Sequence, residues 1–180
     1  YYRPGSLKAR LCREGVRLLK EFCEANELVY DECGKVIVAT SEAELAPLQT
    51  LLERGQANGV PGLRMLDGAE LGEAEPNVSG LAAVWSPSTA IVDYGAIAKR
   101  LADELRSRGV QVVLGARVDE VTDMGGRQLA LRGRGLSLTA DYLVNCAGLH
   151  SDAVARACGL EPEVRIVPFR GEYYLLRPSS

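Results

Sequence analysis

The chain has 180 residues, 47% hydrophobic and 25% charged, the composition of an ordinary globular protein. Its 21 basic and 24 acidic residues give a formal charge of −3, and the basic ones are scattered, so it lacks the basic face that nucleic acid requires. No apolar stretch reaches the ~18 residues of a membrane-crossing helix, and no signal-peptide pattern is present.

The first residues, Tyr1-Tyr2-Arg3-Pro4-Gly5, make an abrupt start, as expected of a piece of a longer chain. Leu7, Leu11, Leu18 and Phe22 then fall near one stripe at helical spacing. Ser6 is placed to cap that helix, which should run to about Asn26. Residues 28–30 and 35–40 read as strands, the second of them buried. Ser41 and Glu44 form a capping box ahead of Leu45, Leu48, Leu51 and Leu52. Pro47 must sit in the first turn of that helix or bend it. A short strand at 63–66, a helical turn at 67–75 and a strand at 81–85 follow.

Asp93 caps the clearest helix, with Tyr94, Ile97, Ala98, Leu101 and Leu105 along one face and Gly109 at its end. An apolar strand at 110–114 comes next, the helix-to-strand half of a parallel-sheet unit. Segments 118–122, 127–132 and 136–139, parted by glycines, read as a β-meander. Residues 141–146 form another apolar strand, which runs through Ala147-Gly148 into a helix over 151–158. Residues 164–176 alternate well enough to be a long strand. Cys12, Cys23, Cys33, Cys146 and Cys158 form no C-x-x-C pair. They are expected to be reduced, mostly buried thiols in a reducing compartment, with no metal site.

Residues 93–159 carry the chemistry. A strand that ends in small residues and opens a helix lets a ligand approach bare main chain. The helix beyond it presents free N–H groups that suit a pyrophosphate, and ligands of open α/β sheets sit at the carboxyl ends of strands. From pattern alone, close packing of helix on strand is sufficient reason for Gly148 and the favoured one.

The segment Asp141-Tyr142-Leu143-Val144-Asn145-Cys146-Ala147-Gly148 resembles the second flavin-contacting segment of the D-amino-acid-oxidase superfamily of FAD enzymes. With residues 1–9, 33–40, 144–152 and 166–174, the whole chain is similar, in order, to the L-2-hydroxyglutarate oxidases and dehydrogenases of that superfamily. The resemblance implies FAD as cofactor and oxidation of the α-hydroxyl of a small dicarboxylate, L-2-hydroxyglutarate, to give 2-oxoglutarate. Family members carry a G-x-G-x-x-G turn upstream and a further glycine-rich flavin segment downstream. Neither is present here, because Gly125-Gly126 and Gly133-Arg134-Gly135 lack the strand-turn-helix setting.

The resemblance makes Val118 a contact for the adenine end of FAD, with a core valine as the alternative. Cys146, Ala147 and Gly148 are the further cofactor candidates, Cys146 packing under the other two. The resemblance places His150, the only histidine, near FAD and makes it a candidate general base, with a base outside this sequence as the favoured alternative. For the substrate carboxylates the candidates are Arg170, then Lys8 and Arg3, because an Arg fork binds a carboxylate bidentately. Tyr173 is a hydrogen-bond donor to substrate or an ordinary sheet aromatic, and Trp85 belongs to a strand core.

The expected architecture is α/β: part of a Rossmann-like FAD-binding domain with a β-meander insertion, plus part of a mixed or antiparallel substrate domain. Residues 1–26 are the linking segment, 27–92 part of the substrate domain, 93–159 the carboxyl-terminal part of the FAD-binding domain, and 160–180 a strand returning to the substrate domain. The expected compartment is the cytoplasm, with peripheral contact at the inner membrane where the electron acceptor is a quinone. An open sheet edge would also promote self-association of the piece. Two rivals stay open: a related flavin amine or amino-acid oxidase, and a non-catalytic binding remnant.

Overall fold

The computed structural model describes residues 1–175. They form two compact units, Tyr1–Gly109 and a second that starts at Val110.

The first unit is built on a three-stranded antiparallel sheet. Helix α1 (Leu7–Ala25) leads into β1 (Tyr30–Asp31) and β2 (Lys35–Ala39). Then come α2 (Glu42–Ala57), β3 (Arg64–Asp67), α3 (Gly68–Ala74), β4 (Ala82–Ser86), β5 (Ile91–Val92) and α4 (Tyr94–Ser107). The sheet order is β2-β4-β3, with Ile37 opposite Val84 and Met65 opposite the same residue on the other side. The short β1 and β5 pair separately.

Strand alternation divides the apolar residues of this sheet between two faces. Ile37, Ala39, Met65 and Val84 meet Leu48 and Leu52 of α2. Val36, Val38, Leu66 and Ala83 meet Leu71 of α3, with Trp85 beside them as a half-buried strand residue. Gly34 makes the turn before β2 with φ +77°, in the left-handed region that a side chain disfavours. The six-membered ring of Trp85 also lies where a Cβ at Gly34 would be.

The helix ends are held as the sequence predicts. The Ser6 hydroxyl accepts from Ala9 N at 3.2 Å. The Glu44 carboxylate accepts from Thr40 N at 2.7 Å and Ser41 N at 3.2 Å. Asp93 accepts from Gly95 N at 2.8 Å and Ala96 N at 3.1 Å. The helix continues through Pro47, its sixth residue, which lies past the first turn, so the carbonyl of Ala43 forgoes its usual helical donor there.

The second unit holds β6 (Glu120–Gly125), β7 (Gln128–Gly133) and β8 (Leu136–Ala140), an antiparallel meander as the sequence predicts. Residues 117–119 prolong its first ladder: Arg117 N donates to Arg134 O at 3.0 Å and Asp119 N to Arg132 O at 2.9 Å. Gly133 leaves no room for a side chain, because the Arg117 carbonyl occupies the space where its Cβ would stand. A short 3-10 turn (Gly148–His150) precedes α5 (Ser151–Ala157).

Several expectations are corrected. Residues 110–114 and 141–146 are not strands, and neither are 164–175; Leu176, the end of that last predicted strand, lies outside the described residues. The apolar runs are real, but a strand exists only where a neighbour accepts its hydrogen bonds, and none of the described residues pairs with these segments. Their side chains are open accordingly: Leu114 is 81% exposed, Val144 80% and Phe169 92%. The apolar stripes of the two long helices are likewise largely open, with Leu7, Leu11 and Leu18 exposed on α1, and Leu101 and Leu105 on α4. All five cysteines are free, yet only Cys23 is buried, whereas Cys12, Cys33 and Cys146 are exposed. Cys146 therefore does not pack under its neighbours.

Candidate functional site

Two places concentrate functional side chains, one in each unit. In the second unit the chain reverses at Asn145-Cys146-Ala147-Gly148. The Asn145 side chain ties this bend at both ends: its Oδ1 accepts from Ala147 N at 3.2 Å and its Nδ2 donates to Ser151 O at 2.7 Å. Gly148 has φ +55°, and nothing lies within 4 Å of where its Cβ would be. Residues 145–149 are all exposed, and the main chain at Gly148 is unobstructed. A nucleotide that must touch backbone fits such a surface. The residues present accordingly fit the cofactor side expected of them.

His150 closes the 3-10 turn, its N–H donating to Ala147 O at 3.0 Å. Its ring is exposed and takes no hydrogen bond among the described residues. Behind it, Asp152 is ion-paired with Arg156 at 2.9 Å, and its side chain is only 12% exposed. That hydrogen bond holds the Asp152 carboxyl below the usual range.

Val118 sits between the two ladder residues Arg117 and Asp119. Because those two direct their N–H groups at 132–134, the peptide groups of Val118 point to the other, unpaired side of the strand. Its side chain is half-buried. Asp119 fixes this corner: it accepts from Arg117 Nε at 2.5 Å and from Arg134 N at 3.1 Å. The Arg117 hydrogen bond, chiefly, lowers the Asp119 carboxyl below its ordinary value.

The first unit contains a cavity of about 310 Å³. Its wall includes Arg13 of α1, Lys35 of β2, Asn58 after α2, and the tyrosines Tyr1, Tyr2 and Tyr30. Two bonds hold the opening residues of the chain against it. Asn58 Nδ2 donates to Tyr2 O at 2.9 Å, and Lys35 Nζ donates to the Tyr1 hydroxyl at 2.6 Å. The same ammonium lies 4.9 Å from the Tyr1 ring centroid, and the shorter contact sets its direction. Burial, together with Glu32, raises the Tyr30 hydroxyl above its ordinary value, so it is a hydrogen-bond donor at neutral pH.

Arg3 and Lys8 are exposed and do not line this cavity. Arg170 and Tyr173 are exposed in an irregular segment of the second unit. The cofactor candidates Cys146, Ala147 and Gly148 are adjacent to His150 in space as well as in sequence, while Val118 belongs to the meander. Sequence reasoning missed Asn145 as the brace of the bend, although Asn two residues before the residue it bonds is a familiar turn signal. It also missed Arg13 and Lys35, which carry no signal beyond charge on an otherwise apolar face.

The chain is 41% identical over 178 residues to an L-2-hydroxyglutarate dehydrogenase from Salmonella houtenae, covering 99% of this chain and 42% of that protein. It is 39% identical over 191 residues to the human mitochondrial L-2-hydroxyglutarate dehydrogenase, covering 100% and 41% respectively. The chain therefore spans about two fifths of the length of these relatives. Glycine oxidase from Geobacillus kaustophilus superposes with a TM-score of 0.76 at 21% identity, over 89% of this chain and 45% of that one. L-proline dehydrogenase from P. horikoshii gives 0.75 at 16% identity, over 86% and 42%. These two establish the Rossmann-like FAD-enzyme fold alone. The model of one family, FAD dependent oxidoreductase, matches residues 1–180 throughout, and the chain belongs to that family.

Proposed function

We propose that the complete protein oxidises L-2-hydroxyglutarate to 2-oxoglutarate with FAD, and that this chain supplies part of the flavin-facing main chain and part of the substrate domain. The observation that carries this reading is the grading of similarity. Identity runs at 38–42% from end to end with L-2-hydroxyglutarate dehydrogenases, against 16–21% with enzymes named for other substrates. In this assignment residues 93–159 close the FAD-binding domain, 27–92 and 160–180 belong to the substrate domain, and 1–26 link them.

Bound FAD supplies the redox chemistry by accepting the hydride from the substrate α-carbon. The chain's own residues do the rest. Ala147 and Gly148 offer main chain that a nucleotide can approach closely, and Asn145 keeps that bend in shape. Cys146 lies on the same open surface. The outward peptide of Val118 offers a donor and an acceptor to a base edge. His150 is the candidate to take the hydroxyl proton, and Arg170, Lys8, Arg3 and Tyr173 remain candidates for the dicarboxylate. No helix among the described residues is long and apolar enough to cross a membrane. We place the protein in the cytoplasm, in peripheral contact with the inner membrane where a quinone takes its electrons.

The test is anaerobic mixing of the full-length protein with L-2-hydroxyglutarate, glycine, sarcosine and glutamate in turn. Bleaching of the flavin band by the hydroxy acid alone is the expected result. Bleaching by an amino acid instead would move the assignment to an amine oxidase, and a colourless, FAD-indifferent protein would leave only a binding remnant.

A further inference from the structure

The cavity of the first unit departs from the rest of the chain in its charge. The protein as a whole is acidic, at −3. Yet the cavity wall carries two basic residues, Arg13 and Lys35, and no Asp or Glu. Neither base has an ion-pair partner among the described residues, and the one bonded partner of Lys35 is the neutral Tyr1 hydroxyl. Arg13 is half-buried. The remaining polar groups are neutral donors, among them the hydroxyls of Tyr30 and Ser86 and the Asn58 amide. A cavity of about 310 Å³ lies at the small end of the ~300–1,000 Å³ typical of small-molecule sites.

Lys35 is exposed at the rim, so the two cations face an open cavity whose other polar groups are neutral donors and which holds no counter-charge, and this favours a small anion over a cation or a neutral ligand. A carboxylate would replace the Tyr1 oxygen as the stronger acceptor for the Lys35 ammonium, since both partners of that bond would be charged whereas the phenol hydroxyl is neutral. We propose that this cavity is a carboxylate site, with Lys35 as its anchor, the Tyr1 hydroxyl as its switchable partner and Arg13 as the second cation. Resting on the functional reading above, it receives a carboxylate of the five-carbon substrate, and so adds Lys35 and Arg13 to the residues that recognise it.

The experiment uses the full-length protein and glutarate, a five-carbon dicarboxylate with no hydroxyl to oxidise. Binding is measured by calorimetry in the wild type and in Lys35→Met, Lys35→Arg, Arg13→Gln and Lys99→Met. Retained flavin and an unchanged circular dichroism spectrum establish folding. Lys35→Met should weaken glutarate by about tenfold or more, the loss expected for a charge-assisted hydrogen bond. Lys35→Arg should restore part of the binding, and Lys99→Met, at an exposed lysine of α4 away from the cavity, should bind as the wild type does. In turnover, Lys35→Met should raise KM more than it lowers kcat. Equal glutarate affinity in folded Lys35→Met, or no glutarate binding by the wild type, overturns the site. Glutarate binding that depends on Lys35 in a protein that does not oxidise L-2-hydroxyglutarate would sink the functional reading and leave the site standing.

Discussion

At the residue scale, single positions decide whether local geometry is attainable. Gly34 is held at φ +77° with the Trp85 ring against it, so Gly34→Ala meets both backbone strain and a clash. A loss of about 1–3 kcal/mol is expected, read as a lower urea midpoint in the full-length protein; an unchanged midpoint would show that the turn relaxes freely. Asn145 is the second such position. Asn145→Ala removes both bonds that brace the Ala147-Gly148 bend. At about 1 kcal/mol for each hydrogen bond, FAD should dissociate up to roughly thirtyfold more readily, measured by flavin release. Asn145→Asp keeps the acceptor for Ala147 N and should fall between. The special status of Gly34 was partly legible, because Gly between two strands announces a turn. Its pressure against Trp85 was not, since that contact joins residues 51 positions apart.

At the element scale, caps and turns were the legible part. Ser6, Ser41-Glu44 and Asp93 each stand where the sequence puts a helix start, because an N-cap needs only local hydrogen bonds. The meander was legible for the same reason, its turns marked by glycine. Strands at 110–114, 141–146 and 164–175 were not obtained, because hydrophobic pattern fixes a preference and pairing needs a partner. Glu44 gives this scale a pH test. Its carboxyl is lowered chiefly by the backbone hydrogen bond from Thr40. A depressed folded pKa means that the unfolded state binds the proton more readily, so the contribution is present above the unfolded value of about 4.3 and is lost as pH falls through the lowered folded value. Glu44→Gln should therefore flatten the rise of stability with pH in that acidic window and leave the slope near neutrality unchanged. Parallel slopes for both proteins would show that the cap is not sensed.

At the scale of the whole molecule, the chain carries a set of apolar surfaces out of proportion to its core. The open stripes of α1 and α4 and the exposed run from Val164 to Leu175 are surfaces that ordinary monomers cover. The isolated 180-residue chain is accordingly expected to self-associate at micromolar concentration and to retain no flavin. Sedimentation and absorbance check the two outcomes, and a monomeric yellow protein would refute both. The family was readable at this scale because motifs spread along the whole length agree with one another. The carboxylate residues were not, since charge in a cavity becomes visible only once α1, β2 and the loop after α2 are brought together.

The contact at Gly133 bears on mutational tolerance. Its α-carbon abuts the Arg117 carbonyl, so that peptide and Val118 beyond it stay in place only while position 133 carries hydrogen alone. In a saturation scan of the full-length protein this glycine should be as intolerant as any catalytic position, each replacement costing stability.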